Sequence, residues 1–217
     1  MYISLILGDV FMNYQIYSFR YAEELFDTNP EFTYLWTEIL DVLDNITDED
    51  LIEGFQQDKR TSKKSLSHAL NTLLDQRLSA KEWARQSFIF NDSEYRPSST
   101  NRQNPWALDF SKDKLAVEVA FNHGGNVAWN LIKPVLSSEL NHVEKAIQTE
   151  AGILITATDS LKAAGNFDGA IGTYAKYIQY LTPLRNLLTV PLIIIGLEAP
   201  DSFSIDKATK QIKMKNN

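Results

Sequence analysis

Two acidic residues, Asp109 and Glu118, stand inside apolar runs that otherwise have the composition of β-strands. A carboxylate in such a run is costly unless it is paired or bound to a cation. Carboxylates on adjoining antiparallel strands can approach within about 4–5 Å, the spacing of cross-strand pairs. Two oxygen ligands at that spacing are typical of a Mg²⁺ site, and Mg²⁺ activates water for attack on phosphorus.

The same two residues also have a plainer interpretation. Asp109 would then face solvent at the end of a strand, and Glu118 would form an ion pair with Lys112 or Lys114. Ion pairs of this kind are common on protein surfaces and carry no chemistry of their own. The spacing of the two acids alone leaves both interpretations open.

The surrounding chain changes its hydrophobic period part of the way along, which predicts helices first and strands later. Helices are predicted at 21–27, 31–44, 47–55, 65–78, 126–137, 141–150 and 174–188. Strands are predicted at 85–90, 107–110, 115–121, 152–157 and 192–197, with 107–121 forming a hairpin. Loops are predicted at 94–105 and 158–172, and the last twenty residues are predicted to fray.

This order of elements predicts a mixed α/β fold, in which a central sheet is flanked by helices. A strand–helix–strand crossover implies a parallel pair of strands beside the antiparallel hairpin. The length of 217 residues suits one domain, residues 1–217. We expect a helical front half at about 1–84 and an α/β core at about 85–200.

Composition excludes several classes of protein. With 44% apolar and 23% charged residues the chain is an ordinary globular one. A net charge of −7 argues against a protein that coats nucleic acid, although it leaves room for a local basic cleft. The absence of cysteine excludes disulfides and thiolate chemistry and fits a cytoplasmic protein. No apolar run approaches the roughly 18 residues of a membrane span, and residues 1–9 are expected to be folded structure rather than a leader.

The segment with the two acids resembles the PD-(D/E)XK nucleases, in which Asp, a short turn and a Glu near the end of a second strand recur. The stretch 115–122 resembles restriction endonucleases of the BglII and BstYI type, and 69–83, 152–158 and 191–196 add to the similarity. The resemblance implies a restriction-endonuclease-like fold and Mg²⁺-dependent cutting of double-stranded DNA at a short palindrome with a GATC core. It also implies a homodimer, because a two-fold enzyme presents two sites to the two strands.

One position departs from the family pattern. The family has Lys two residues after the Glu, or Gln or Glu in this subgroup, and here that position is Ala120. An alanine side chain can neither orient water nor bind an ion. The chain is therefore an engineered inactive form, or another group such as Asn122 or residues 101–104 substitutes, or the protein binds DNA without cutting it.

Candidate DNA contacts follow the second acidic strand. Asn122 and His123 lie next to the DNA by the family resemblance, and asparagine can pair with adenine in the major groove. The alternative is a strand-to-helix turn in which Asn126 caps the helix.

Further candidate contacts lie in two loops. Lys162, Asn166 and Asp168 belong to a long loop that begins at the carboxyl end of a buried strand, where α/β sheets place ligands. Arg102 and Asn104 belong to the polar loop, and with Arg96 and the basic run 59–64 they could contact phosphates. The alternative in each case is a solvated surface. A small-molecule-binding α/β protein is a third class, and it predicts no salt-dependent DNA affinity.

Overall fold

A six-stranded sheet lies at the centre of the computed structural model, which describes residues 10–60, 64–96, 104–139 and 142–215. The strands are β1 (Tyr14–Phe19), β2 (Ala84–Phe88), β3 (Ala107–Lys112), β4 (Leu115–Val119), β5 (Ala151–Ala157), β6 (Leu192–Leu197), β7 (Phe203–Ile205) and β8 (Ile212–Met214). The helices are α1 (Ala22–Thr28), α2 (Pro30–Asp44), α3 (Asp48–Gln57), α4 (Leu66–Ala80), α5 (Val127–Ser138), α6 (Asp159–Ala164) and α7 (Tyr174–Leu181). Within the described residues, no helix is long and apolar enough to cross a membrane.

The sheet has the order β1-β6-β5-β4-β3-β2, and its strands run in both directions. Strands β4, β5 and β6 are parallel, whereas β1, β2 and β3 pair antiparallel with their neighbours. Helix α5 connects β4 to β5, and α6 and α7 lie between β5 and β6 along the chain. The predicted hairpin, the parallel crossover and the mixed α/β fold class are therefore confirmed.

The front helices cover one face of the sheet. The predicted stripe of α2, which includes Leu35 and Ile39, is buried in one core with Val117 and Ile153 of the sheet. Pro30 is the first residue of α2, where its missing N–H costs nothing. Helix α3 begins with a capping box, in which the Thr47 and Asp50 side chains each accept the other's backbone amide.

Helices α5 and α7 cover the opposite face. Val127 and Leu131 of α5 pack there with Leu154 of β5. Helix α5 can lie close to β5 because residue 152 is glycine, since a Cβ there would stand 2.6 Å from the Cβ of Pro134. This close approach fixes α5 over the sheet, and with it the polar side chains that α5 carries.

Strand β1 lies in the front half of the chain, which the sequence predicts to be helical. It pairs antiparallel with β6, and Tyr14 stands opposite Leu197. Burial alternates along β1 between half-buried and exposed residues until it ends at the buried Phe19. An edge strand of this kind needs only one apolar face, so its short mixed sequence lacks the continuous apolar run of an inner strand.

The predicted helix at 141–150 is wrong for the described residues 142–150, which form no helix. This segment lies against the chain that follows β2. The Asn91 amide donates to the Glu144 carbonyl at 2.9 Å, and the Ala146 amide donates to the Ile89 carbonyl at 3.0 Å. These bonds to a distant segment satisfy the backbone groups that a helix would satisfy locally.

Two predicted boundaries in the crossover between β5 and β6 also change. The predicted loop 158–172 begins with helix α6, in which the Thr158 hydroxyl accepts a hydrogen bond from the Leu161 amide. The helix predicted at 174–188 ends at Leu181, and residues 182–187 form turns. Pro183 explains the early end, because proline has no N–H to continue the helical hydrogen bonds.

The last twenty residues are not frayed where the structure describes them. Strands β7 and β8 form an antiparallel hairpin, and Phe203 and Ile205 are buried in the same core as the front helices. Two apolar residues in a polar segment are enough to anchor it, although they give a weak signal in the sequence.

The basic run 59–64 is partly engaged within the fold, and its residues 61–63 lie outside the described part of the chain. The Arg60 side chain donates to both carboxylate oxygens of Asp58, at 2.8–3.1 Å. Lys64 lies over the Phe55 ring, 4.5 Å from its centre. The hydrogen bonds from Arg60 lower the pKa of Asp58 from 3.8 to about 2.

We expect Asp58→Asn to lower the free energy of unfolding at pH 7 by about 1–2 kcal/mol, because it removes charge-assisted hydrogen bonds from a buried carboxylate. A carboxyl group whose pKa is depressed in the folded state stabilises it above the unfolded pKa and loses that contribution as pH falls. The difference between variant and wild type should therefore shrink as pH falls from about 4 towards 2. Urea unfolding measures it, with the exposed Glu53→Gln as control. A difference that does not vary with pH would contradict the prediction.

Candidate active site

A cleft of about 670 Å³ lies beside β2, β3 and β4. Two helices form its walls, each with residues at the spacing of a single helical face. The residues from α5 and the position before it are Asn126, Trp129, Asn130 and Lys133, and those from α4 are His68, Asn71, Thr72 and Asp75. Because the other faces of both helices pack in the two cores, each helix presents its polar side to the cleft.

Asp109 and Glu118 come together in this cleft, at the point where β3 leaves β4. The pairing of the two strands ends at Phe110 and Val117. Beyond it the Asp109 carboxylate accepts a hydrogen bond from the Val119 amide at 2.9 Å. Glu118 Oε1 lies 3.4 Å from the Asp109 amide nitrogen. The strands therefore bring the two predicted carboxylates to one wall of the cleft.

Glu118 is only 1% exposed. Burial, and to a lesser degree the negative charge of Asp109, raises the pKa of its carboxyl to about 8. The Lys133 ammonium pairs with Glu118 Oε2 and so lowers the pKa of that carboxyl, against the effect of burial. The same ammonium also donates a hydrogen bond to the Ala107 carbonyl at 3.1 Å. The site thus contains two carboxylates that repel one another and one buried cation beside them.

The alternative ion pairs considered from the sequence do not form. Lys112 and Lys114 bind carboxylates on other elements, namely Glu38, Glu31 and Glu150. Glu118 pairs with Lys133 of α5, fifteen positions further along the chain, because the helix folds back over the end of the strand. Asp109 is half-buried and accepts a second hydrogen bond from Gln86 Nε2 at 3.2 Å.

The donor set suits a small, hard cation. Carboxylate oxygens are the ligands that Mg²⁺ prefers, and Mg²⁺ usually takes one or two of them while keeping several waters. Among the residues that the structure describes, no cluster of three or more His, Cys, Asp or Glu side chains could hold a metal ion. Asp109 and Glu118 therefore offer the kind and number of protein ligands that such an ion would take.

Ala120 lies on β4's continuation, two residues beyond Glu118, and is buried. Its methyl group belongs to the core that contains Val127 and Leu154, and its amide donates to the Ile155 carbonyl at 2.8 Å. A methyl group offers no hydrogen bond. At the third position of the family pattern, this chain therefore has a side chain that packs in the core and offers no polar group.

Asn122 lines the cleft, whereas His123 lies outside its lining. Asn122 Oδ1 accepts a hydrogen bond from Asn130 Nδ2 at 3.1 Å, and the same amide group donates to the Tyr177 hydroxyl at 2.7 Å. His123 Nδ1 accepts from the amide two residues later, at 3.0 Å, and so caps the turn before α5. The Asn126 side chain makes no capping bond.

Lys162, Asn166 and Asp168 lie outside the cleft lining, and each is bonded within the fold. Lys162 Nζ donates to the Gly169 carbonyl at 2.8 Å, and Asp168 Oδ1 accepts from the amide two residues later, also at 2.8 Å. Asn166 has a left-handed backbone, with φ of 54°, and its Nδ2 donates to the Lys64 carbonyl at 2.7 Å. Their contact with DNA stays a prediction.

Asn104 lines the cleft, and Arg102 lies outside the described residues. Asn104 Nδ2 donates to the Tyr95 carbonyl at 3.0 Å, and its Oδ1 accepts from the Trp106 amide at 2.9 Å. Arg96 donates to a carbonyl after β2 at 3.3 Å and lies 4.8 Å from a phenylalanine ring of that strand. The described part of this loop is therefore held in place at the mouth of the cleft.

The cleft faces of α4 and α5 are not predicted from the sequence, and Lys133 is the most consequential omission. Asn126, Trp129, Asn130 and Lys133 do recur at helical spacing directly after the acidic strand. That signal is weak, because every amphipathic helix has a polar face and most such faces meet only solvent.

The chain matches a protein family, and solved structures that are similar to it include two crystal structures. The family model described as restriction endonuclease BglII/BglIII matches residues 14–197. The crystal structure of restriction endonuclease BglII complexed with a DNA 16-mer is similar, with a TM-score of 0.59, 19% identity, and coverage of 94% of this chain and 89% of that chain. The crystal structure of free BglII has a TM-score of 0.50, 18% identity, and coverage of 94% and 91%.

No curated protein matches the chain. At 19% and 18% identity the two solved structures show a common fold. The family match covers all six strands of the central sheet and both acidic residues of the cleft. The chain therefore belongs to the BglII/BglIII restriction endonuclease family, and it is a type II site-specific deoxyribonuclease.

Proposed function

We propose that the protein cuts double-stranded DNA by Mg²⁺-dependent hydrolysis of a phosphodiester. The observation that carries the proposal is the meeting of Asp109 and Glu118 in a cleft where burial raises the pKa of Glu118 to about 8. The ionised form of a buried carboxyl group is stabilised by nearby positive charge, which Mg²⁺ would supply. The cytoplasm is the proposed compartment, because its reducing conditions suit a chain without cysteine.

Asp109 and Glu118 would hold the ion, which when bound offsets charge on the phosphate and lowers the pKa of water. The chain itself prepares the site. The Val119 amide holds the Asp109 carboxylate and Lys133 holds that of Glu118, so both are oriented before DNA arrives. The overall reaction adds one water across a P–O ester bond and leaves a phosphomonoester and an alcohol.

The proposed recognition site is a short palindrome with a GATC core, as the family resemblance implies. The cleft supports recognition of adenine, because it is lined by several amide side chains and an amide can make a bidentate pair with that base. These are Asn71, Gln86, Asn104, Asn122, Asn126 and Asn130. Asn122 lies nearest in sequence to the acidic strand, and it remains the leading candidate for a base contact.

A palindrome presents the same bases on both strands, so we propose that the enzyme acts as a homodimer. Two large apolar side chains support this proposal, since Tyr21 is 79% exposed and Leu187 is 59% exposed. Arg20 links their two segments, because it donates to the Leu188 carbonyl at 2.6 Å and to the Arg185 carbonyl at 2.9 Å. We therefore place the proposed contact between the two copies at these two segments, which Arg20 holds together.

Ala120 favours a second candidate function, which is sequence-specific DNA binding with impaired cutting. Incubation of a plasmid with the protein and Mg²⁺ distinguishes this candidate from the nuclease. Discrete fragments support the nuclease, whereas retardation of a palindromic duplex without fragments supports the binding protein. In the second case, Ala120→Gln should restore cutting. Membership of the nuclease family leaves no support for the small-molecule-binding class.

Asp109→Asn and Glu118→Gln are each expected to slow plasmid cutting by about 100-fold or more, because each removes a charged oxygen from the reacting centre. Duplex binding without divalent ions should persist, since both changes reduce negative charge near the phosphates. Cleavage rate and gel retardation measure the two effects. Asp27→Asn, at an exposed position of α1, is the control. Cutting at the wild-type rate by either site variant would rule out the proposed centre.

Digestion of DNA of known sequence, followed by sequencing of the fragment ends, tests the recognition site. We expect every end to fall within one palindrome that has GATC at its centre. Ends at a palindrome without GATC would refute the recognition proposal and leave the nuclease proposal intact. Ends scattered without a common sequence would contradict site-specific cutting altogether.

Light scattering in solution tests the dimer, and the expected mass is twice 24.7 kDa. Leu187→Asp should shift the mass towards one chain, because it introduces charge into the exposed apolar surface. Its melting temperature should change little, since Leu187 contributes mainly surface. Met214→Asp, at an exposed position of β8, is the control and should stay dimeric. A complex with a palindromic duplex that contains one chain of 24.7 kDa, and not two, would exclude the homodimer.

A further inference from the structure

Lys133 reaches the part of the site that Ala120 leaves without a polar group. Residues two apart on a strand face the same side, so a long side chain at position 120 would stand beside Glu118. The methyl group of Ala120 packs in the core instead. The Lys133 ammonium reaches the Glu118 carboxylate from α5, and it lines the same cleft.

The position of this ammonium is fixed by the fold. The close approach at Gly152 holds the neighbouring Pro134, and with it this turn of α5, against the sheet. Lys133 Nζ then donates to the Ala107 carbonyl of β3 and pairs with Glu118 of β4. An ammonium carries three N–H donors, and these are its two acceptors among the described residues. The third donor is available to a group that enters the cleft.

Stability alone gives little reason to bury this lysine. Lys133 is 7% exposed, and the cost of removing two charges from water commonly offsets the attraction within a buried ion pair. The charges that would meet in a site holding both DNA and Mg²⁺ give a better reason for burying this lysine. Two carboxylates and one phosphodiester carry three negative charges, Mg²⁺ supplies two positive charges, and Lys133 supplies the third.

We infer that Lys133 is a catalytic residue, whose remaining N–H donates to a non-bridging oxygen of the phosphate under attack and so replaces the polar group absent at Ala120. This inference rests on the proposed function. In the step, the water oxygen forms a bond to phosphorus, one P–O ester bond breaks, and the leaving oxygen takes a proton from the water. Lys133 keeps its own protons throughout. Its hydrogen bond strengthens as negative charge grows on the phosphate oxygens.

Lys133→Met tests the inference, because it removes the charge and keeps much of the apolar stem. Single-turnover cutting at saturating Mg²⁺ should fall by about 100-fold or more, whereas the duplex dissociation constant without divalent ions should change by only about threefold. Lys133→Arg, which retains charge and donors, should lose about tenfold or less. The control is Lys145→Met, because Lys145 is a half-buried lysine whose ammonium lies over the Phe90 ring, outside the cleft.

Rescue provides a second test. In the Lys133→Met background, Ala120→Lys returns an ammonium to the site from the strand, and it should recover about tenfold of the lost rate. Thermal unfolding accompanies each measurement. Should K133M fail to fold, K133Q takes its place, because glutamine can still donate to Glu118 while lacking the charge, and the same loss of rate is expected.

Three results would overturn the inference. K133M that cuts at the wild-type rate and binds Ca²⁺ more tightly would show that Lys133 only neutralises Glu118 before an ion arrives. A parallel fall in duplex affinity, melting temperature and rate would show a structural function. A wild-type chain that does not cut would refute the proposed function and this inference together, whereas the first two results leave the proposed function intact.

Discussion

The burial of one carboxylate, that of Glu118, is the constraint on which the cleft depends. A charged group inside a sheet is stable only if neighbouring groups compensate for the water that it has lost. The Asp109 amide is close by and Lys133 pairs with the carboxylate, so three separate elements, β3, β4 and α5, are tied to one side chain. The glycine at 152 then becomes part of the site, because it lets α5 approach closely enough for Lys133 to reach.

The cleft also shows how a fold of ordinary composition can hold a polyanion. The chain as a whole is acidic, with a net charge of −7, yet its deepest charged pair includes a buried lysine. Around that pair the walls carry mainly neutral amides and hydroxyls from α4 and α5. Neutral donors and acceptors can form hydrogen bonds with the edges of bases, while a few cationic side chains contact phosphates.

Sequence patterns identified the parts of this structure that local chemistry determines. The hairpin of β3 and β4 and its two acids were predictable, because a carboxylate in an apolar run stands out. The stripe of α2 and the capped start of α3 were predictable for similar reasons. Strand β1, residues 142–150 and the β7–β8 hairpin depend on partners far away in sequence, so their local patterns were misleading. Lys133 was missed because only the folded helix brings it to Glu118.

The antiparallel pairing of β1 with β6 has a consequence for the order in which the molecule is made. Gln15 and Glu198 are joined by a hydrogen bond across 183 residues, so β1 stays unpaired until β6 has also left the ribosome. The β3–β4 hairpin closes through three pairs that are near neighbours in sequence, and it can form much earlier. We therefore expect the two acids to approach each other in the nascent chain before the outer edge of the sheet is complete.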